Sequence, residues 1–276
     1  MAWRGWVAVA RLRGMTGRYT FGDGDLAAER LGLVAEIFDP LSRELLEAAV
    51  AQKPEPGPGP GLAVDLGCGP GFTTRLLADV CRPARTVGLE RSPQFAELAR
   101  RRHGGPTVEF AVHDVTRVPF PVGPADVVFA RLLLAHLPDP LGLVARWRSQ
   151  LAPGGVLVLD EIESMATPPG PLRRYEDLVV ALVAAEGGAM YVGPILAGLG
   201  GDDRCPEVDV DAARAARMYG MNLATWRHEA RRRGLAGDAE LDRLADDLAQ
   251  LADAPGSGSG GEVVHWVLRQ LVVKGG

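Results

Sequence analysis

The sequence predicts an α/β fold: a doubly wound, mostly parallel sheet with helices on both faces. Three observations predict it. Between residues 62 and 161, short Val-rich apolar runs alternate with stretches of helical periodicity, the pattern of βαβ units whose sheet is buried on both sides. Asp65, Glu90, Asp114, Arg131, Asp160 and Glu161 fall at the C-terminal ends of those runs, where open α/β sheets bind ligands. The first run leads into "VDLGCGPGF", residues 64–72, a glycine loop between a strand and a helix.

Residues 25–50 read as two helices. Asp25 caps the first, and Leu26, Leu33, Val34, Ile37 and Phe38 recur at helical spacing. Asp39 followed by Pro40 reads as the cap and first position of the second. "KPEPGPGPG" (53–61) excludes a helix or a central strand and reads as a stiff linker. Strands are expected at "LAVDL" (62–66), "RTVGLE" (85–90), "TVEFAVHD" (107–114), "ADVVFA" (125–130) and "GVLVLDE" (155–161), with helices at 72–80, 93–102 and 139–151.

From Ser164 to about Ala252 this rhythm breaks. Amphipathic helices are expected over 171–188 and 239–254. "PGSGSGG" (255–261) is a flexible loop, and "EVVHWVLRQLVVK" (262–274) a long final strand, with "EVDVD" (207–211) as its candidate hairpin partner. The chain thus divides into helices at 1–50, a linker at 51–61, an α/β core at 62–163, a helical insertion at 164–252, and a loop and closing strand at 253–276.

Composition narrows the class. The 276 residues are 47% apolar and 24% charged, ordinary for a soluble globular chain. The net charge of −5 and pI of about 5.6 give no electrostatic reason for nucleic-acid binding. Arg far outnumbers Lys, and Ala, Gly and Pro are abundant, as in proteins of high-GC bacterial genomes. Cys68, Cys81 and Cys205 form neither a disulfide framework nor a metal-ligand pattern, which suits a reducing cytoplasm. The basic stretch 1–18 has too short an apolar run for a signal peptide. It reads as an extension before a second candidate start at Met15, rather than as a helix on a membrane.

The glycine loop is the informative motif. A P-loop needs GxxxxGK[ST], and "GCGPGFTT" has no lysine. A dinucleotide loop wants a third glycine where Phe72 stands. The loop is instead GxGxG, with Asp65 placed before it, and a carboxylate there would repel a pyrophosphate. "VDLGCGPG" resembles motif I of the class I S-adenosylmethionine-dependent methyltransferases, and four further stretches, "VGLERSPQF", "AVHDV", "ADVVFARLLLAHLPDP" and "LAPGGVLVLDE", resemble later motifs of that family in order. Near the N-terminus, "RYTFGDGDLAAERL" resembles the opening of bacterial natural-product methyltransferases.

The resemblance implies a seven-stranded sheet with an antiparallel last strand, and S-adenosylmethionine as cofactor. It implies that Gly67, Gly69 and Gly71 pass under the cofactor's amino-acid part, with Asp65 toward its ammonium. Glu90 would take both ribose hydroxyls, Phe95 would cover the adenine, and Asp114 and the Val115 backbone would bind the adenine edge. Arg131, Tyr19, Thr20 and Arg30 are further cofactor candidates. The N-terminal helices and the 164–252 insertion would close over a small acceptor.

The fourth run ends in "ARLLL", not the Asn/Asp-Pro-Pro-aromatic motif of enzymes that methylate planar amino groups. That leaves an oxygen, nitrogen or carbon of a small, largely apolar acceptor, with natural-product biosynthesis as the setting. The alternatives are a protein that uses the sulfonium electrostatically for a cyclisation or rearrangement, and an RNA methyltransferase. No metal, nucleic acid or membrane partner is expected, and the oligomeric state is left open, a homodimer included. Four groups qualify as an acid or base: His136, Asp160, Glu161 and Tyr175. Glu161 is the preferred base, His136 is expected mainly to shape its turn, and Tyr175, Asp160 and Tyr191 are candidates for contacting the acceptor.

Overall fold

The computed structural model describes residues 22–51, 60–254 and 261–275. Most of the expected linker and of the 255–261 loop, like Tyr19 and Thr20, lies outside these residues. The chain runs through α1 (Asp25–Ala51), β1 (Leu62–Leu66), α2 (Phe72–Cys81), β2 (Arg85–Glu90), α3 (Pro93–His103), β3 (Val108–Val112), β4 (Ala125–Arg131), α4 (Pro140–Arg148), β5 (Leu151–Ala166) and α5 (Pro171–Ala185). It continues through α6 (Gly193–Leu196), β6 (Asp202–Arg204), β7 (Glu207–Asp211), α7 (Ala212–Arg232), α8 (Asp238–Ala252) and β8 (Val263–Lys274).

The sheet order is β3-β2-β1-β4-β5-β8-β6, with β7 also paired to β8. Strands β1 to β5 are mutually parallel, and β8 runs antiparallel to β5. Side-chain alternation divides the core into two layers. Ala63, Val127, Phe129 and Val158 pack against α1 and α2, through Leu45, Leu46, Leu76 and Leu77. Val64, Leu66, Val128, Ala130, Leu157 and Leu159 pack against α4, through Leu143, Val144 and Trp147. A third apolar cluster joins α1, α5, α7 and α8 to the first half of β8, through Val264, Trp266 and Leu268.

The structure corrects several expectations. The sheet has eight strands, not seven, because β6 is the short, fully exposed "DDR" and carries no apolar alternation. Strand β5 continues to Ala166, into the expected insertion, because β8 pairs along it from Val156↔Lys274 to Ala166↔His265. Residues 25–51 form one helix with Pro40 inside it, not two. Pro40 removes one backbone donor, but the helix is buried on both sides of it, at Ile37 and Phe38 and again at Leu45 and Leu46. The pairing of β7 with β8 is antiparallel, as the sequence suggested.

Candidate functional site

The glycine loop connects β1 to α2, and its three glycines have φ of +63°, +52° and +95° at Gly67, Gly69 and Gly71. Side chains disfavour that region, so the backbone path itself requires glycine. Packing adds to the requirement: a Cβ on Gly67 would lie 2.6 Å from Leu133, and one on Gly71 would lie 3.0 Å from Ala99, His103 and Phe110. Gly67 and Gly69 line a cavity of about 1060 Å³ at the C-terminal ends of the strands. Gly71 does not; it is the N-cap of α2, packed against α3 and β3. The sequence reading placed it on the ligand, and the structure places it in a helix–helix contact.

Asp65, two residues before the loop's first glycine, is buried and, like Gly71, is not on the cavity wall. One carboxylate oxygen accepts the Thr73 and Thr74 hydroxyls, each at 2.6 Å. Its other oxygen has no hydrogen-bond partner among the described residues. Burial pushes this carboxyl up to about 6, against the pull of the two hydroxyls. Glu90, at the end of β2, lines the cavity and accepts the N–H of Ser92 at 2.7 Å and of Gly69 at 3.0 Å. Burial raises its pKa while those two N–H groups lower it. The loop and the second strand are thereby tied through one carboxylate, each of whose oxygens keeps a further lone pair.

Phe95, Asp114 and Val115 also line the cavity. Ser92 caps α3 by accepting the N–H of Phe95 at 3.2 Å, which fixes where Phe95 starts. Asp114 accepts the Thr116 N–H at 3.0 Å and its hydroxyl at 2.7 Å. Burial works to raise the Asp114 pKa, but the Thr116 bonds prevail and hold it below the usual value. The Val115 carbonyl accepts the buried Trp147 indole at 2.8 Å. Arg30, buried on α1, lines the same cavity.

The proposed acid–base groups separate sharply. Glu161 is fully buried and absent from the cavity wall; it accepts the N–H groups of Leu133 and Leu134, at 2.9 and 2.8 Å, and so holds the turn after β4. Asp160, the neighbouring carboxylate within β5, is also fully buried. It accepts the Ser42 hydroxyl at 2.6 Å and the Gln270 amide at 3.0 Å. Neither lines the cavity, because consecutive strand residues point to opposite faces and both faces of β5 are covered at this point. Arg131 lines the cavity, but its guanidinium is drawn to α1, at 2.7 Å from Asp39 and 3.1 Å from Ser42 Oγ. Asp39 is thus an anchor for Arg131 rather than a helix cap.

His136 and Tyr175 do line the cavity. His136 sits in a single 3-10 turn, Leu134–His136, and burial, with Arg30 nearby, lowers its pKa to about 4. Its imidazole is therefore neutral at pH 7. Tyr175 stacks on Tyr219, with ring centroids 4.0 Å apart. Tyr191 is not on the cavity wall; its hydroxyl donates to Glu176 instead.

The wall opposite the glycine loop is apolar and aromatic. Val34 and Phe38 come from α1, Ile162 and Met165 from β5, Val179 from α5, Met218 and Tyr219 from α7, and Trp266 from β8. The contribution of α7 was missed in the sequence. Its signal was present: Tyr219, Leu223, Trp226 and Ala230 are buried at spacings of four, three and four.

The residues present fit the cofactor that the motifs imply. A carboxylate with spare lone pairs, Glu90, stands at the cavity edge, and a buried carboxylate oxygen without a partner belongs to Asp65, just before the glycine loop. Fold and site together define the class I methyltransferase architecture. Residues 64–159 match the family described as a methyltransferase domain. The chain is 40% identical over 113 residues to the trans-aconitate 2-methyltransferase of Methylobacterium radiotolerans, covering 41% of this chain and 42% of that protein. The enzyme of the same name from Streptomyces avermitilis is 34% identical over 129 residues, covering 45% and 48%. The matches thus span less than half the length of these relatives. The YcgJ protein of Bacillus subtilis shares the fold at a TM-score of 0.52 and 14% identity, over 85% of this chain and 97% of that one. Among the described residues, no helix is long and apolar enough to cross a membrane.

Proposed function

We propose that this chain transfers the methyl group of S-adenosylmethionine to a small, largely apolar acceptor in the cytoplasm. The observation that carries the reading is that one cavity is walled both by Gly67, Gly69, Glu90 and Asp114 and by Phe38, Tyr175, Met218 and Trp266. Residues 62–163 act as the cofactor core, and 1–50 with 164–252 as the elements closing over the acceptor. The resemblance of the N-terminal stretch to bacterial natural-product enzymes supports that setting.

When bound, S-adenosylmethionine supplies a methyl group already activated by its sulfonium. The protein's part is chiefly alignment, and proximity can contribute roughly 7–11 kcal/mol. Glu90 would hold the ribose hydroxyls, Asp114 and the Val115 backbone the adenine edge, Phe95 its face, and Asp65 the ammonium. Where the acceptor must lose a proton, His136 is the group to take it on a ring nitrogen. It is neutral and on the cavity wall, whereas Glu161 and Asp160 are buried in the sheet and do not line the cavity.

The curated relatives are named for trans-aconitate, but their matched segments cover less than half of this chain. A tricarboxylate would call for uncommitted cations in the cavity. Of the arginines lining it, Arg131 pairs with Asp39, Arg233 with Glu229 and Glu186, Arg117 with Asp114, and Arg146 with Asp139. An apolar acceptor suits this wall better. The test is product mass after incubation with S-adenosylmethionine and a panel of apolar alcohols, phenols and amines. A gain of one methyl group in an apolar acceptor supports the reading. Methylation of trans-aconitate alone, or conversion without mass gain, overturns it.

A further inference from the structure

The apolar wall holds three polar groups with unmet hydrogen bonds among the described residues: the Trp266 indole N–H on β8 and two on α7. Tyr219 and Asn222 lie one turn apart on α7, on the same helix face, and both line the cavity. Tyr219 is 2% exposed and Asn222 7%. The Tyr219 hydroxyl has no hydrogen-bond partner among the described residues. Asn222 donates its amide N–H to the Tyr175 hydroxyl, which leaves its amide oxygen without a partner among them. Buried polar atoms are rarely left this way, because an unmet one loses its hydration with nothing in return unless something pairs with it.

We propose that Tyr219 and Asn222 form the polar end of the acceptor subsite and select a neutral molecule carrying a hydroxyl on an apolar skeleton. The inference rests on the methyltransferase reading and names its substrate class. A hydroxyl is both donor and acceptor, so it can answer both groups at once: its oxygen accepts from the phenol, and its proton goes to the amide oxygen. Burial above all, with Tyr175 and Glu176 next, holds the Tyr219 phenol well above its usual pKa, so it stays a donor. A carboxylate is a poor match. It has no proton for the amide oxygen, and neither group carries a charge to offset its desolvation. An unsubstituted hydrocarbon leaves both groups unmet.

The experiment titrates 2-naphthol, naphthalene and 2-naphthoate into protein saturated with S-adenosylhomocysteine, for the unmodified chain and for Tyr219→Phe, with a thermal melt of each. The expected result is that 2-naphthol binds about tenfold more tightly than the other two. In Tyr219→Phe that advantage falls to within about threefold, naphthalene binds as before, and Tm is not lowered, because the lost hydroxyl had no internal partner. Equal affinity for all three probes, tightest binding of 2-naphthoate, or a Tyr219→Phe loss shared by all three overturns the assignment. Failure of S-adenosylhomocysteine itself to bind overturns the methyltransferase reading instead, so the two failures are distinguishable.

Discussion

Glu161 accepts the backbone N–H of Leu134 at 2.8 Å, from inside the sheet. The carboxylate that looked best placed to deprotonate an acceptor is instead a brace for the turn between β4 and His136. Burial pushes its pKa from the ordinary 4.5 up to about 8. A folded-state value above the unfolded one means that the folded form holds more protons between pH 4.5 and 8. The stabilisation is full below that window and lost as pH rises through it. Glu161→Gln keeps an oxygen to accept the two N–H groups but cannot ionise. Its Tm should therefore rise relative to the unmodified chain as pH goes from 5 to 8, and level off above that. A Tm difference that stays flat across this range would show that Glu161 is not the group titrating.

His136 gives the opposite slope. Its pKa is lowered from 6.5 to about 4, so the unfolded form binds the extra proton, and stability is lost as pH falls from 6.5 toward 4. His136→Asn should flatten the acid limb of the Tm–pH curve. If His136 is the proton acceptor, the same variant lowers turnover by about 10²–10⁴ with cofactor affinity unchanged. Unchanged turnover with a flattened acid limb would leave His136 a structural residue of its turn.

Arg131 should act through α1 rather than through the ligand. Its side chain is 4% exposed and that of Asp39 35%, so the pair is neither fully screened nor fully buried. Arg131→Gln is expected to cost about 1–3 kcal/mol, between the surface and buried limits for an ion pair. Asp39→Asn should cost less, and a double-mutant cycle by urea unfolding should return coupling of about 1 kcal/mol. Additive losses would mean that the two residues act independently.

The sequence shows the core of this fold because its signals are local. Short Val-rich strands, the Ser92 and Pro93 helix start and the glycine loop each announce themselves within a few residues. Facing is different. Asp160 and Glu161 are adjacent within β5, and only the packing of α1 on one side and the β4 turn on the other shows that both are used internally. Gly71 is similar: its spacing matches a ligand loop, while its surroundings are Ala99, His103 and Phe110, brought in from α3 and β3. Pro40 looked like a helix start because a proline lacks a donor. The burial on either side of it, supplied by distant strands, keeps the helix continuous. Helix α7 was overlooked because alanine and arginine dilute its apolar face.

Glu90 is the side chain on which the cofactor reading depends most. Calorimetric titration of S-adenosylhomocysteine into the unmodified chain and into Glu90→Ala, with a parallel titration of NAD, tests it most directly. One site for S-adenosylhomocysteine is expected, together with a Tm that rises with ligand concentration. Glu90→Ala is expected to weaken binding by about 1.5–3 kcal/mol, the scale of hydrogen bonds to a charged group. No heat with S-adenosylhomocysteine under conditions where NAD binds would contradict the account.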